Sequence, residues 1–105
     1  MGGRLHRIDG PAVIFADGYQ EWWQNGCIHR LDGPAVSTPH GDQQWWINGQ
    51  LHRLDGPAVI YPDGGQEWYI HNMNVTDQVT AWMQQRGITW PWDESTQMEF
   101  VLTWV

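Results

Sequence analysis

At 105 residues the chain is long enough for one modest core and too short for two, so a single domain is expected. Twelve carboxylates stand against five arginines and no lysine, a formal charge of −7. That balance argues against direct binding to nucleic-acid backbones or anionic membranes, since both reward a basic patch. The single cysteine, Cys27, cannot form an internal disulfide, so a reducing cytosol is the expected compartment, and no signal peptide or membrane span is legible.

The chain repeats itself. Leu5 to Ala12, Ile28 to Ala35 and Leu51 to Ala58 carry Leu-His-Arg-Leu-Asp-Gly-Pro-Ala with few changes, and Trp22, Trp45 and Trp68 recur every 23 residues. A fixed short period implies one supersecondary unit stacked on itself. Units are expected at 3–25, 26–48 and 49–71. In the first, Pro11 to Ala16 is a β-branched and aromatic run, and Asp17-Gly18 is expected to form a two-residue hairpin turn with both residues at positive φ. Tyr19 to Gln24 is the return strand and Asn25-Gly26 a second turn of the same kind. Cys27 to Arg30 is a short third strand, ended by Asp32-Gly33-Pro34, where Pro removes a ladder donor.

In the second unit Ser37-Thr38-Pro39-His40 replaces the apolar strand and the turn Asp, which predicts a loop or an exposed edge before Asn48-Gly49. The third repeats Asp63-Gly64 but ends in His71-Asn72, so the array is expected to stop near residue 71. The fold class is therefore mostly β, an antiparallel meander in a single-layer sheet, followed by a small α-containing cap over 72–105.

Strand alternation sorts the aromatic residues into two columns, Trp22/Trp45/Trp68 on one face and Trp23/Trp46/Tyr69 on the other. A thin sheet cannot hide both, and Trp82, Trp90, Trp92 and Trp104 are candidates to cover one. After residue 72, Asn74 reads as a helix cap with Asp77 in the first turn. Val75, Val79, Trp82 and Met83 form one stripe of a helix over about 75–86, and Gly87 ends it. Trp90-Pro91-Trp92 is expected to be extended. The last stretch supports a strand, with Met98, Phe100, Leu102 and Trp104 alternating, or a short helix, with Met98, Val101, Leu102 and Val105 on one stripe. The β-branched Val101, Thr103 and Val105 favour the strand.

The order Trp, Asn-Gly, two residues, His, Gly and then Asp-Gly at a 23-residue period resembles MORN-type repeats and, more closely, their bacterial and phage relatives. The matching stretches are Trp22 to Gly41, Trp45 to Gly64 and the partial unit Gly3 to Gly18, about two-thirds of the chain. The resemblance implies a sheet of stacked hairpins used as an interaction scaffold; relatives occur among toxin-neutralising immunity proteins and small phage proteins. Arg7, Arg30 and Arg53 stand where the usual pattern has its second glycine, and the C-terminal third has no counterpart.

Three constellations bear on function. His6/Arg7/Asp9, His29/Arg30/Asp32 and His52/Arg53/Asp55 could be a metal ladder or carboxylate-oriented bases. Three equal copies are what a stacked unit needs and an active site does not, so these residues, with Trp22, Trp45 and Trp68, are read as structural, Arg and Asp bridging the turn while His packs on Trp. Repeats stacked at roughly 10 Å are also too far apart to share one ion, so no metal or other cofactor is expected. His40 lies outside the pattern. The second constellation is the aromatic columns, one of them a core and the other a candidate contact face.

The third is the acidic surface, including Glu21, Asp42, Asp63, Glu67, Asp77, Asp93, Glu94 and Glu99, which suits a basic protein partner. No phosphate loop, nucleophile elbow or zinc spacing is present, so an enzyme is not expected. The reading is a non-catalytic protein-binding module of phage or bacterial type that inhibits a nucleic-acid-handling host protein by masking its basic surface, acting in the host cytosol if phage-encoded. The alternatives are an immunity protein blocking a toxin's active site and a small-ligand binder using the Trp-rich face. Partner contacts are expected at Trp23, Trp46, Tyr69, His40, Asp42, Glu67, Asp93 and Glu94, and a sheet edge would allow a homo-oligomer.

Overall fold

Asn-Gly dipeptides at 25–26 and 48–49 close tight hairpins because both residues can take the left-handed conformation: Asn25 and Gly26 have φ of 53° and 81°, Asn48 and Gly49 of 49° and 79°. These turns organise a mostly β structure, a computed structural model that describes residues 10–105. The expectations for His6, Arg7 and Asp9 lie outside the described residues.

Among the described residues, twelve two-residue strands alternate between two kinds of pairing. Strands β1 (Val13–Ile14), β2 (Gln20–Glu21), β5 (Val36–Ser37), β6 (Gln43–Gln44), β9 (Val59–Ile60) and β10 (Gln66–Glu67) form one antiparallel sheet in that order. Between them, β3 (Trp23–Gln24) with β4 (Cys27–Ile28), β7 (Trp46–Ile47) with β8 (Gln50–Leu51) and β11 (Tyr69–Ile70) with β12 (Met73–Asn74) form separate hairpins. The chain changes partner at a tryptophan. The Trp22 N–H donates to Ala35 O at 2.7 Å, while its carbonyl accepts from His29 N at 3.0 Å. Trp45 does the same with Ala58 and His52, at 2.7 and 3.1 Å. Register recurs at the sequence offset, Gln20 opposite Ser37 and Gln43 opposite Ile60.

Three local expectations are corrected. The Asp-Gly turns are three-residue loops: Phe15 N donates to Tyr19 O and Tyr61 N to Gly65 O, and only Gly18 and Gly64 have positive φ. Asp17 and Asp63 instead accept the backbone N–H two residues on, the usual role of Asp in such a turn. The segment at 37–40 is neither loop nor edge throughout, since Val36–Ser37 pairs on both sides, with β2 and with β6. Pairing uses the backbone and tolerates Ser; Pro39 falls just after the strand, where no ladder donor is needed, and Gly41 (φ 104°) supplies the turn. His71-Asn72 also adopts the double left-handed turn (φ 48° and 69°), so the third hairpin completes at Asn74 before the chain turns helical.

Helix α1 (Thr76–Arg86) starts where another His-Arg-x-Asp segment would fall by offset. The Asn74 carboxamide accepts from the Thr76 N–H at 2.9 Å, one residue ahead of the formal cap position, Val75. Asp77 and Arg86 complement the helix dipole at its two ends, and Gly87 (φ 65°) closes it in the left-handed conformation. Helix α2 (Glu94–Trp104) replaces the strand favoured for 98–104. Asp93 caps it, accepting from Thr96 N at 2.7 Å. Its inward residues, Phe100, Val101 and Trp104, follow a helical stripe and pack on α1 and the last hairpin, which outweighs the β-branched composition.

The main core therefore sits where the last hairpin meets the helices: Trp68, Ile70, Val75, Val79 and Phe100 are buried, with Trp82, Trp90, Trp92 and Trp104 packed around them. Trp92 stacks on Trp68 at 6.2 Å, and Trp82 meets Trp92 and Trp104 edge-on at 5.5 and 5.3 Å. A smaller layer, Ala35, Val36, Ala58 and Val59, is buried along the sheet. No helix among the described residues is long and apolar enough to cross a membrane.

Phe100 is fully buried, whereas Leu102 is 77 % exposed. Phe100→Ala should therefore cost about 3–5 kcal/mol in urea denaturation, and Leu102→Ala should stay within about 0.5 kcal/mol. A strand would bury both.

Candidate functional site

Antiparallel pairing puts directly opposed residues on the same face. Val13, Glu21, Val36, Gln44, Val59 and Glu67 make one such row across the six strands. Residues two positions along each strand join that face. The Tyr19 hydroxyl donates to Glu21 Oε2 at 2.6 Å and the Trp23 indole donates to Glu21 Oε1 at 2.9 Å, so one carboxylate is gripped by two aromatic donors. The Trp46 indole donates to Gln44 at 2.8 Å, and the Tyr61 hydroxyl to Glu67 at 2.8 Å. Thr38 Oγ1 donates to Asp42 at 3.0 Å, and the Asn74 amide donates to the Tyr69 hydroxyl at 3.2 Å.

Electrostatics agree with this grouping. The hydrogen bond to Glu21, aided by burial and the carboxylate's charge, pushes the Tyr19 hydroxyl up to about 12. Tyr61 is also raised, first by its bond to Glu67 and further by burial and by Glu67, Tyr69 and Asp42. Five of the residues expected at a partner contact, Trp23, Trp46, Tyr69, Asp42 and Glu67, thus share this face. His40 stands exposed at the tip of the 39–41 loop. Asp93 and Glu94 lie apart, at the start of α2, and Asp93 is committed to capping it. Sequence reasoning misses Tyr19 and Tyr61 and treats Glu21 as general surface charge; the period-two spacing Tyr19-x-Glu21-x-Trp23 is the signal that could have found them.

The other column meets the arginines. The Arg30 guanidinium lies 3.8 Å over the Trp22 ring, donates through Nε to Asp32 at 3.0 Å and through Nη1 to Pro34 O at 3.2 Å. Arg53 repeats this on Trp45, Asp55 and Pro57, at 3.8, 2.8 and 3.0 Å. A Cβ at Gly33 would come within 2.9 Å of the Arg30 guanidinium carbon, which accounts for glycine there. The expectation that His packs on Trp is corrected, because Arg occupies that place. The imidazole instead ties neighbouring hairpins: His29 Nδ1 accepts from Asn48 N at 3.0 Å and His52 Nδ1 from His71 N at 2.8 Å. Among the described residues no three His, Cys, Asp or Glu groups converge as metal ligands would.

The cap packs on Trp68, the last member of the Trp22/Trp45/Trp68 column, leaving the Trp23/Trp46/Tyr69 column half-buried. Carboxylates held beside aromatic rings suit a guanidinium or ammonium group, which gains a charge-assisted hydrogen bond and a ring face together. Each of the three described arginines is already paired, with Asp32, Asp55 and Glu99 respectively. Compared with known proteins, the chain matches no family model, no curated protein and no solved structure.

Arg53→Ala should lower stability by roughly 1–3 kcal/mol in chemical denaturation, by stranding Asp55 and Pro57 and uncovering Trp45, and Arg53→Lys should recover little, because an ammonium lacks the planar fork. A second expectation concerns pH. Burial, and then the charge of His71, lower the His52 pKa below its ordinary 6.5. The folded state therefore prefers neutral His52, and that stability is present above about pH 6.5 and lost as pH falls through the lowered folded value. His52→Asn keeps a hydrogen-bond acceptor without the titration and should flatten the slope of unfolding free energy between pH 7 and 5. An unchanged slope would show that His52 is not its source.

Proposed function

We propose that this chain is a non-catalytic binding module, a stack of three 23-residue MORN-type hairpin repeats, that docks a basic protein surface through its acidic aromatic face. The observation that carries the reading is the Tyr19–Glu21–Trp23 arrangement, with Asp42, Trp46, Tyr61, Glu67 and Tyr69 on the same face. A partner's arginine or lysine placed there would meet a carboxylate and a ring at once. Interface anchors are most often Trp, Tyr and Arg, and the net charge of −7 adds long-range attraction that speeds encounter. Proteins that handle nucleic acids carry the basic surfaces such a face fits, so the partner class is a nucleic-acid-handling protein of the host, inhibited by masking.

The test uses charge reversal. Glu21→Lys/Glu67→Lys and the wild-type chain are immobilised, partners are captured from host lysate, and each captured protein is purified for binding kinetics. A supporting result is a basic partner whose association rate falls as salt shortens the Debye length from about 10 Å at 0.1 M and falls again with the double reversal. Asp93→Lys serves as a contrast: it should lower the melting temperature by removing the α2 cap and leave association on this face unaffected. A partner whose association ignores both salt and the double reversal would sink the reading.

A further inference from the structure

On the opposite side from the acidic face, a groove of about 630 Å³ runs between the turn at Leu31-Asp32-Gly33 and the turn at Leu54-Asp55. Trp45 and Ile47 line it, and Gln97 of α2 borders it. Leu31 is 79 % exposed at its rim, although the octapeptide keeps an aliphatic residue at that place in every copy. Leu54, 38 % exposed, holds the corresponding place on the other turn, so the groove has an aliphatic side chain from each of its two turns.

The chain contains an occupied version of the same groove. Moving 23 residues along from Arg30, Leu31, Asp32, Gly33, Trp45 and Ile47 gives Arg53, Leu54, Asp55, Gly56, Trp68 and Ile70. In that second groove sits Trp90, from the loop between α1 and α2. Its indole N–H donates to Asp55 O at 2.9 Å, and its ring lies 5.2 Å from the Arg53 guanidinium. It presses so closely on Gly56 that a Cβ there would come within 2.6 Å of the indole nitrogen. Beside it, Trp92 stacks on Trp68. That second seat depends on Thr76, which stands where the offset would place an arginine. In the open groove the corresponding ring, Trp45, is already covered by Arg53. Only the seat used by Trp90 is therefore duplicated, formed by the Asp32 carbonyl, Gly33 and the Arg30 guanidinium, with Leu31 lining the groove beside them.

We infer that the open groove is a docking site for one tryptophan side chain of a partner polypeptide, held as Trp90 is held in its own groove. Asp32 and Asp55 at the two rims are each paired with an arginine, so the groove selects its occupant by the indole seat rather than by charge. The site does not depend on the acidic aromatic face and stands or falls separately from it.

The test titrates the full chain, labelled with nitrogen-15, with the peptide acetyl-Lys-Thr-Trp-Pro-Lys-amide. The same peptide with Ala or 1-methyltryptophan in place of Trp serves as control. The expected result is a saturable shift of the amide signals of Leu31, Gly33 and Ile47, abolished with the Ala peptide. The methylated indole, which cannot donate to the Asp32 carbonyl, should bind about tenfold more weakly. Leu31→Ser, at an exposed position, should keep the melting temperature and weaken the Trp peptide by a similar factor. Equal binding of the Ala peptide, or none by the Trp peptide, would overturn the inference. So would shifts centred on Trp23, Trp46 and Tyr69, which would place the peptide on the acidic face. Shifts centred on Trp68 and Trp92 would mean that the peptide displaces the chain's own Trp90, and would also overturn it. Leu31 and Gly33 signals that move with protein concentration alone would identify a second copy as the occupant instead.

Discussion

A guanidinium laid on an indole face, locked by a carboxylate two residues along and by a carbonyl four residues along, is the contact that organises the β part of this molecule. Arg30 on Trp22 and Arg53 on Trp45 have the same geometry to within a few tenths of an ångström. The arrangement explains several residues of the octapeptide together. Arg supplies the fork, Asp orients it, Gly leaves room for it, and Pro offers a carbonyl while having no N–H of its own to satisfy. With strands only two residues long, regular ladders are too short to hold such a sheet, so side chains take over much of the work of joining one hairpin to the next.

That arrangement has an electrostatic consequence. Arg30 and Arg53 are drawn to the Trp22/Trp45 side and neutralised there by Asp32 and Asp55, while Arg86 joins α1 to α2 through Glu99. The carboxylates of the other face, Glu21, Asp42 and Glu67, are held by hydroxyl and indole donors, which keep their negative charge where an arginine would cancel it. One face is therefore acidic and aromatic by construction. The same division gives the opposite side its groove, lined in part by Trp45 and edged by exposed Leu31.

The two helices end the succession of hairpins by departing from the sequence pattern that precedes them. By offset, Val75 and Thr76 stand where His52 and Arg53 would recur. Val75 N still donates to Trp68 O, as His52 N does to Trp45 O. Thr76 Oγ1 accepts the Trp68 N–H, which in the preceding cases goes to an alanine carbonyl of the next strand. Trp92 takes the place of the guanidinium beside Trp68, so helices cover what another hairpin would have covered.

How much of this was legible in the chain depends on how local the cause is. Left-handed Asn25-Gly26 and Asn48-Gly49, the end of α1 at Gly87, the two-faced alternation of Trp22 and Trp23, and the neutral role of Ser37 or Pro39 are settled by backbone sterics and short-range periodicity. The first three can be read directly; the last cannot, because side-chain polarity says little about a strand that is held by its backbone on both sides. Arg30 bridges the turn to Asp32 as expected, but spacing alone shows only that His29 and Arg30 both lie near Trp22, not that the guanidinium rather than the imidazole reaches its ring. Residues 94–104 remained ambiguous for a different reason. Phe100 and Trp104 suit either period, and only Trp82, Trp92 and the last hairpin, brought together by folding, provide the surface that buries Phe100 in a helix. The same long-range packing, rather than any pattern in the chain, decided that the cap would cover Trp68 and leave Trp23, Trp46 and Tyr69 at the surface. Apolar burial has no direction of its own, so which of two aromatic columns is hidden follows from where the connecting chain can reach.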